Sequence, residues 1–176
     1  LSKKHISKIL SEDESFMLRN SKNIDYITIY QPENIKLSKL YVLKLKKFKD
    51  YKIRDFQILG GHIFSLLSFY KEKKVILYPD GIVSSKVSFV NSITELMTGF
   101  SLASYKFDKY KKKSIKKDNK NQKSNKASKF KISSSSHTRL EKNYINVKAI
   151  SEGVTLTRNL VTEPPNVMTP PEIAKN

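Results

Sequence analysis

The order of apolar patterns along the chain predicts an α/β fold in which helices pack against a partly parallel sheet. Short β-rich runs alternate with stretches whose apolar residues recur every three or four positions, in the order helix, strand, strand, helix, strand, helix. Strands separated by helices favour a layered α/β domain. The chain has 176 residues, 38% of them apolar, which is enough to bury the core of one ordinary domain.

The first 70 residues of the chain contain two helix candidates and two strand candidates. A short amphipathic helix is expected from Ser2 to about Ser11. The β-rich run 24–30 stops at Pro32, and the apolar run 40–45 predicts a second strand. The following helix is predicted from one apolar face, which comprises Phe56, Leu59, Ile63, Leu66, Leu67 and Tyr70.

Gly60 and Gly61 lie inside that helix, where each glycine costs about 1 kcal/mol relative to alanine. The pair is either simply tolerated or marks a close approach of the helix to a sheet. A short buried strand is then predicted over 74–79, before the turn signal Asp80-Gly81. A second amphipathic helix follows, with its apolar face formed by Phe89, Ile93, Leu96, Met97, Phe100 and Ala103.

Lysines dominate the segment from Lys109 to Lys131, which holds eleven lysines and a single acidic residue, Asp118. This segment therefore carries more than half of the net charge of +18. Residues 109–128 are expected to form a disordered, solvated loop. The alternative is an arm that contacts nucleic-acid phosphates, although no aromatic residue lies between Tyr110 and Phe130 to stack on bases. Its candidate contacts are Lys111, Lys112, Lys113, Lys116 and Lys117.

The C-terminal part predicts one more strand and a long helix. Phe130 and Ile132 give the strand, and the serine-rich loop closes this segment at residue 136. The helix is predicted over 137–163, because Pro164-Pro165 prevents its continuation. Thr169-Pro170-Pro171-Glu172 has the features of another helix start, so residues 164–176 are expected to begin a further domain that is truncated here.

Composition excludes several classes of site. The chain has no cysteine, which rules out disulfides, zinc–thiolate centres and cysteine nucleophiles. No apolar run approaches the roughly 18 residues needed to span a bilayer, and no signal peptide is evident, so a cytoplasmic protein is expected. The three histidines are far apart and none belongs to an H-E-x-x-H motif.

Two segments resemble the leucyl (cytosol) aminopeptidase family. Residues 101–111, SLASYKFDKYK, are similar to the family's A-S-Y-R-F-D-K-Y-K signature, with Lys106 where arginine is usual. Residues 152–170, EGVTLTRNLVTEPPNVMTP, are similar to the stretch that leads into the family's catalytic domain, with Asn159 where aspartate is usual. The signature residues to which we assign structural roles are Tyr105, Phe107, Asp108, Lys109, Tyr110, Arg158, Pro164, Pro165 and Asn166.

The resemblance implies a macro-domain-like mixed sheet flanked by helices, followed by a long linker helix. Residues 1–108 would form the main part of this N-terminal domain, whose first strand is missing, and 129–136 would supply its last strand and a serine-rich loop. Enzymes of this family are hexamers that use two divalent ions, manganese or zinc, to release N-terminal residues from peptides. Their metal ligands lie in the catalytic half, so no catalytic or metal-binding residue is expected in this chain.

These observations predict a non-catalytic N-terminal region of an aminopeptidase, which serves in packing and oligomer assembly and is inactive alone. The alternative is a stand-alone basic module that binds nucleic acid. Tyr105, Phe107 and Tyr110 are expected to pack the exit of a helix, with a subunit or interdomain contact as the other interpretation. An ADP-ribose site is disfavoured, because no glycine-rich phosphate cradle is present.

Overall fold

The computed structural model describes residues 26–32, 36–45, 48–72, 74–80, 82, 84–110, 129–167, 169 and 171. This part of the chain forms four strands, three α-helices and a 3₁₀ turn at Phe48–Asp50. In chain order, the strands and α-helices are β1 (Tyr26–Tyr30), β2 (Lys39–Leu43), α1 (Ile53–Phe69), β3 (Lys74–Leu77), α2 (Phe89–Ala103), β4 (Lys129–Ile132) and α3 (His137–Thr162).

The strands pair in two ways. β1 and β2 form an antiparallel hairpin, in register from Tyr26↔Leu43 to Tyr30↔Lys39. β3 and β4 pair in parallel, from Lys74↔Lys129 to Leu77↔Ile132. The mixed α/β class is therefore confirmed, and among the described residues its two kinds of pairing occur in two separate two-stranded sheets.

Local chemistry explains where the helices begin and end. The Asp55 carboxylate accepts a hydrogen bond of 2.8 Å from the Lys52 backbone N–H, so α1 begins earlier than its apolar face alone indicates. Ser88 accepts the Asn91 N–H at 3.4 Å and starts α2. The C-terminal boundary of α3 is Glu163, whose backbone is extended, and two prolines follow it.

Three predictions from the sequence fall partly or wholly outside the described residues. The helix from Ser2 to about Ser11 and the lysine-rich residues 111–128 lie wholly outside them. Of the expected helix start at Thr169, the structure describes only isolated positions. These remain predictions.

The core lies between the α1–α2 helix pair and the parallel sheet. Ile63, Leu67 and Leu96 form one buried cluster of the two helices, and Val75, Leu77 and Phe130 of the sheet pack against it. Phe130 of β4 stacks on Phe100 of α2, with ring centroids 4.2 Å apart and planes inclined by 17°. The sheet is thus held to the helices by apolar contacts, as its alternating pattern requires.

The glycines of the helix pair allow the two helix backbones to meet. A Cβ on Gly60 would contact the Leu96 carbonyl oxygen and lie 2.8 Å from the Phe100 nitrogen. A Cβ on Gly99 would lie 2.6 Å from the Gln57 carbonyl carbon. Gly60 therefore marks a close approach to a second helix, a partner that neither interpretation from the sequence named.

A polar cluster attaches the β1–β2 hairpin to the end of α1. The Glu72 carboxylate accepts hydrogen bonds from Lys39 Nζ at 2.7 Å and from the Tyr41 hydroxyl at 2.8 Å. Burial, followed by the bond to Glu72, raises the pKa of Tyr41. The hydroxyls of Tyr26 and Tyr70 lie 3.1 Å apart beside this cluster.

None of the helices in the described part of the chain combines the length and the apolar composition that a membrane-spanning helix needs.

Candidate functional site at the junction of segment 105–110 with helix α3

The chain leaves α2 by a capped turn and then runs alongside the last turns of α3. The Ser104 backbone N–H bonds to the Phe100 carbonyl at 3.1 Å, and its hydroxyl donates to the Ser101 carbonyl at 2.7 Å. These bonds close the end of the helix. We refer to the contacts between residues 102–110 and residues 158–163 as the junction.

Tyr105 and Arg158 form the inner half of the junction. Arg158 donates from Nη1 to the Leu102 carbonyl at 2.8 Å, which satisfies a carbonyl in the last turn of α2. Its guanidinium carbon lies 5.4 Å from the centroid of the Tyr105 ring, within the range of a cation–π contact. The Tyr105 hydroxyl donates to Asn159 Oδ1 at 2.9 Å.

Glu163 forms the outer half of the junction. Lys109 Nζ lies 2.6 Å from Glu163 Oε1, and the Tyr110 hydroxyl donates to Oε2. The Glu163 side chain is only 7% exposed, whereas that of Lys109 is 58% exposed. The Lys109 ammonium, followed by the Tyr110 hydroxyl, lowers the pKa of Glu163. The same contacts with Glu163 raise the pKa of both Lys109 and Tyr110.

The remaining signature residues flank these contacts. The Phe107 ring lies 5.9 Å from that of Tyr110 in a tilted arrangement, and Asp108 lies between them in the chain. Beyond α3, the Val167 N–H bonds to the Pro164 carbonyl at 2.9 Å, which closes a turn containing Pro165 and Asn166. The junction therefore brings together the ends of two chain segments that are more than 50 residues apart.

Sequence reasoning did not identify the contacts of two junction residues, Glu163 and Asn159. Glu163 stands at the C-terminal boundary of α3, where the helix dipole disfavours a carboxylate. A carboxylate at this position could have indicated that a cationic side chain from another segment lies beside it. For Asn159, the sequence indicates only the loss of an acidic partner for Arg158. In the structure Asn159 is the acceptor for Tyr105, while Arg158 contacts a backbone carbonyl and an aromatic ring.

The structure does not describe the lysines that are predicted to contact nucleic acid. Lys111, Lys112, Lys113, Lys116 and Lys117 all lie outside the described residues. Lys109, the first lysine of that segment, is paired with Glu163. The nucleic-acid interface therefore stays a prediction.

An open groove of about 430 Å³ runs along α3 beside the end of α2. Val147 and Ser151 are buried α3 residues on its lining, and the Ser151 hydroxyl has no hydrogen-bond partner among the described residues. The rest of the lining is polar or half-exposed: Ser101, Tyr144, Lys148, Glu152, Thr155, Leu156 and Asn159. Histidine, aspartate and glutamate side chains do not gather in groups of three or more anywhere in the described ranges.

Comparison with known families and proteins gives a consistent result. Residues 6–114 match the model of the cytosol aminopeptidase family, N-terminal domain. A "Probable cytosol aminopeptidase" of Rhodopseudomonas palustris is 34% identical over 151 residues, which is 85% of this chain and 28% of that protein. A protein of the same name from Methylorubrum extorquens is 31% identical over 82% of this chain and 27% of its own length.

A solved structure shares the fold. "Bottromycin maturation enzyme BotP in complex with Mn" superposes with a TM-score of 0.64 at 14% identity, over 92% of this chain and 31% of that one. This likeness concerns the fold alone. The chain spans less than a third of the length of these relatives.

Proposed function

The chain belongs to the cytosol aminopeptidase family, and on that premise we propose that it serves as the non-catalytic N-terminal region of a metal-dependent aminopeptidase. The observation that carries the proposal is the match of residues 6–114 to the family's N-terminal domain. The relatives are more than three times as long as the matched part, which covers 28% of the Rhodopseudomonas palustris protein. We assign the release of N-terminal amino acids from peptides to the remainder of such an enzyme.

The metal chemistry of the whole enzyme is part of this proposal. Two divalent ions, manganese or zinc, would activate a water molecule and polarise the scissile carbonyl. The described residues do not fit these ions, because their carboxylates and imidazoles do not converge in groups of three or more. As the family resemblance implies, we assign the metal ligands to the catalytic part of the enzyme.

The junction supports a positioning role. Helix α3 has 26 residues and so extends for about 39 Å. Near the C-terminal end of α3, Arg158 and Asn159 contact residues 102 and 105. At the boundary of the helix, Glu163 contacts Lys109. These contacts would fix the point at which residues 164–167 leave the N-terminal region. The junction would thereby orient the linker helix relative to the part of the enzyme that follows it.

Further properties of the whole enzyme are proposed from the family alone. We expect a cytoplasmic hexamer in which this region contributes to assembly. The alternative of a stand-alone nucleic-acid-binding module depends on lysines outside the described residues. A DNA-binding titration across salt concentrations tests that alternative, and a lack of affinity even at low salt excludes it.

An activity assay tests the main proposal. The purified chain is incubated with leucine amide and added manganese or zinc, alongside a mock purification from the same host. We expect no turnover above the mock sample. Hydrolysis of leucine amide that co-purifies with the chain and is abolished by a metal chelator would overturn the assignment of a non-catalytic role.

A further inference from the structure

The groove along α3 has exposed side chains that complement one another when the helix meets a second copy of itself. Tyr144 and Leu156 are 43% and 52% exposed. Lys148 and Glu152 are 62% and 69% exposed and form an i,i+4 pair with an N–O distance of 3.8 Å. All four side chains line the same groove. This face therefore carries one apolar residue near each end and one charge of each sign in the middle.

A two-fold axis beside residue 150 would place complementary groups opposite one another. In an antiparallel helix pair around such an axis, Tyr144 of one copy faces Leu156 of the other, and Lys148 faces Glu152. Each of these pairs occurs twice, because the contact of residue i with residue j is repeated with the two copies exchanged. Residue 150 lies near the middle of His137–Thr162, so the contact would centre on the middle turns of the helix.

The groove borders the side of α3 that is buried within one copy. Leu140, Val147 and Ser151 are the residues of α3 that the rest of the described chain buries. A second helix laid in the groove would cover Tyr144 and Leu156.

We propose that the α3 groove is a self-association surface, in which two copies of this chain pair through antiparallel α3 helices, with Lys148 of each copy against Glu152 of the other. This inference rests on the assembly role proposed above and identifies the surface that carries it. The contact is small and partly polar, so a weak, concentration-dependent dimer is expected.

The test is the mass of the chain in solution, measured by sedimentation over a range of concentrations. The wild-type chain should shift toward twice the monomer mass as its concentration rises. Lys148→Glu places carboxylate against carboxylate across the two-fold axis, and Glu152→Lys does the same with ammonium groups. Each variant alone should therefore lose the shift toward the dimer.

An equal mixture of the two variants separates contacts between copies from contacts within one helix. The intrahelical ion pair stays broken in both chains of the mixture, yet an all-acidic face can now meet an all-basic one. The mixture should therefore recover the dimer mass. Lys142→Glu is the matched control, since it makes the same change in charge at an exposed α3 lysine that does not line the groove, and it should associate like wild type.

A wild-type chain that stays monomeric, single variants that still dimerise, or a mixture that fails to recover the dimer would each overturn the proposal. These outcomes are independent of the leucine amide assay. A catalytically active chain would overturn the proposed function without changing the measured mass. A monomeric, inactive chain would overturn only the self-association surface.

Discussion

The α1–α2 helix pair and the junction both hold helix α2, but they do so by different physical means. In the helix pair, Gly60 and Gly99 allow backbone to contact backbone, and fully buried apolar side chains fill the adjacent space. In the junction, hydrogen bonds and a cation–π contact connect polar side chains, most of them partly or largely exposed, across more than 50 residues of sequence.

The difference shows where this protein tolerates change. A close-packed contact has no free volume, so one added methyl group must separate the helices. A polar contact at the surface can exchange its partner for water at a modest cost, but it depends on charge and therefore on pH. We expect the helix pair to control global stability and the junction to control the local order of the end of α3.

Gly99→Ala should produce the largest effect. The new Cβ would lie 2.6 Å from the Gln57 carbonyl carbon, which is backbone and cannot rotate away. We expect the free energy of unfolding to fall by about 3 kcal/mol. Chemical denaturation monitored by circular dichroism measures this change.

Gly153→Ala is the matched control for that substitution. No atom lies within 4 Å of a Cβ at this position of α3, so steric conflict is absent among the described residues. Alanine is the better helix former, and a gain of about 0.5–1 kcal/mol is expected. Equal losses in the two variants would show that the α1–α2 contact is looser than the structure indicates.

Tyr105→Phe tests the inner half of the junction with a smaller expected effect. The change removes the hydroxyl that donates to Asn159 at 2.9 Å and keeps the ring beneath Arg158. A loss of about 1 kcal/mol is expected, because Asn159 is half-buried and only partly recovers a bond to water. An unchanged denaturation midpoint would show that this hydrogen bond contributes nothing to stability.

Arg158→Lys should lower the free energy of unfolding by less than Tyr105→Phe does. Lysine keeps the positive charge but lacks the planar guanidinium that both stacks on Tyr105 and donates to the Leu102 carbonyl. Because residue 158 is exposed, we expect a loss below about 1 kcal/mol. Hydrogen exchange should show faster opening of the last turn of α3 while the α1–α2 pair stays protected.

Glu163→Gln should have the smallest effect at neutral pH, but it should change the pH dependence. Contact with Lys109 and Tyr110 lowers the pKa of Glu163 below its ordinary value of 4.5. Its contribution to stability is therefore complete above that value and is lost as the pH falls through the lowered pKa of the folded state. The variant should lack this acid-induced loosening of the end of α3.

Hydrogen exchange of residues 158–163 at neutral and acidic pH measures the effect of Glu163→Gln. Tyr110→Phe serves as a comparison, because it removes one donor to Glu163 and leaves the carboxylate and Lys109 in place. Identical acid profiles for wild type and Glu163→Gln would contradict the role assigned to this carboxylate.

The sequence by itself determined the class of fold and most of its elements. Apolar periodicity identified α2 over Phe89–Ala103, because a helix that buries one face must repeat apolar residues every three or four positions. The prolines after Glu163 predicted the end of α3 for the equally local reason that a proline restricts the residue before it. The two signature segments, 101–111 and 152–170, were sufficient to indicate the family.

The tertiary structure alone decided which of these residues meet. Gly60 packs against α2. The sequence indicated either a tolerated glycine or a close approach to a sheet, because a glycine pattern does not specify the surface that approaches it. Glu163 accepts from Lys109 and Tyr110, which are more than 50 residues away in the chain. Local patterns encode local structure, whereas these contacts exist only once α2 and α3 have packed side by side.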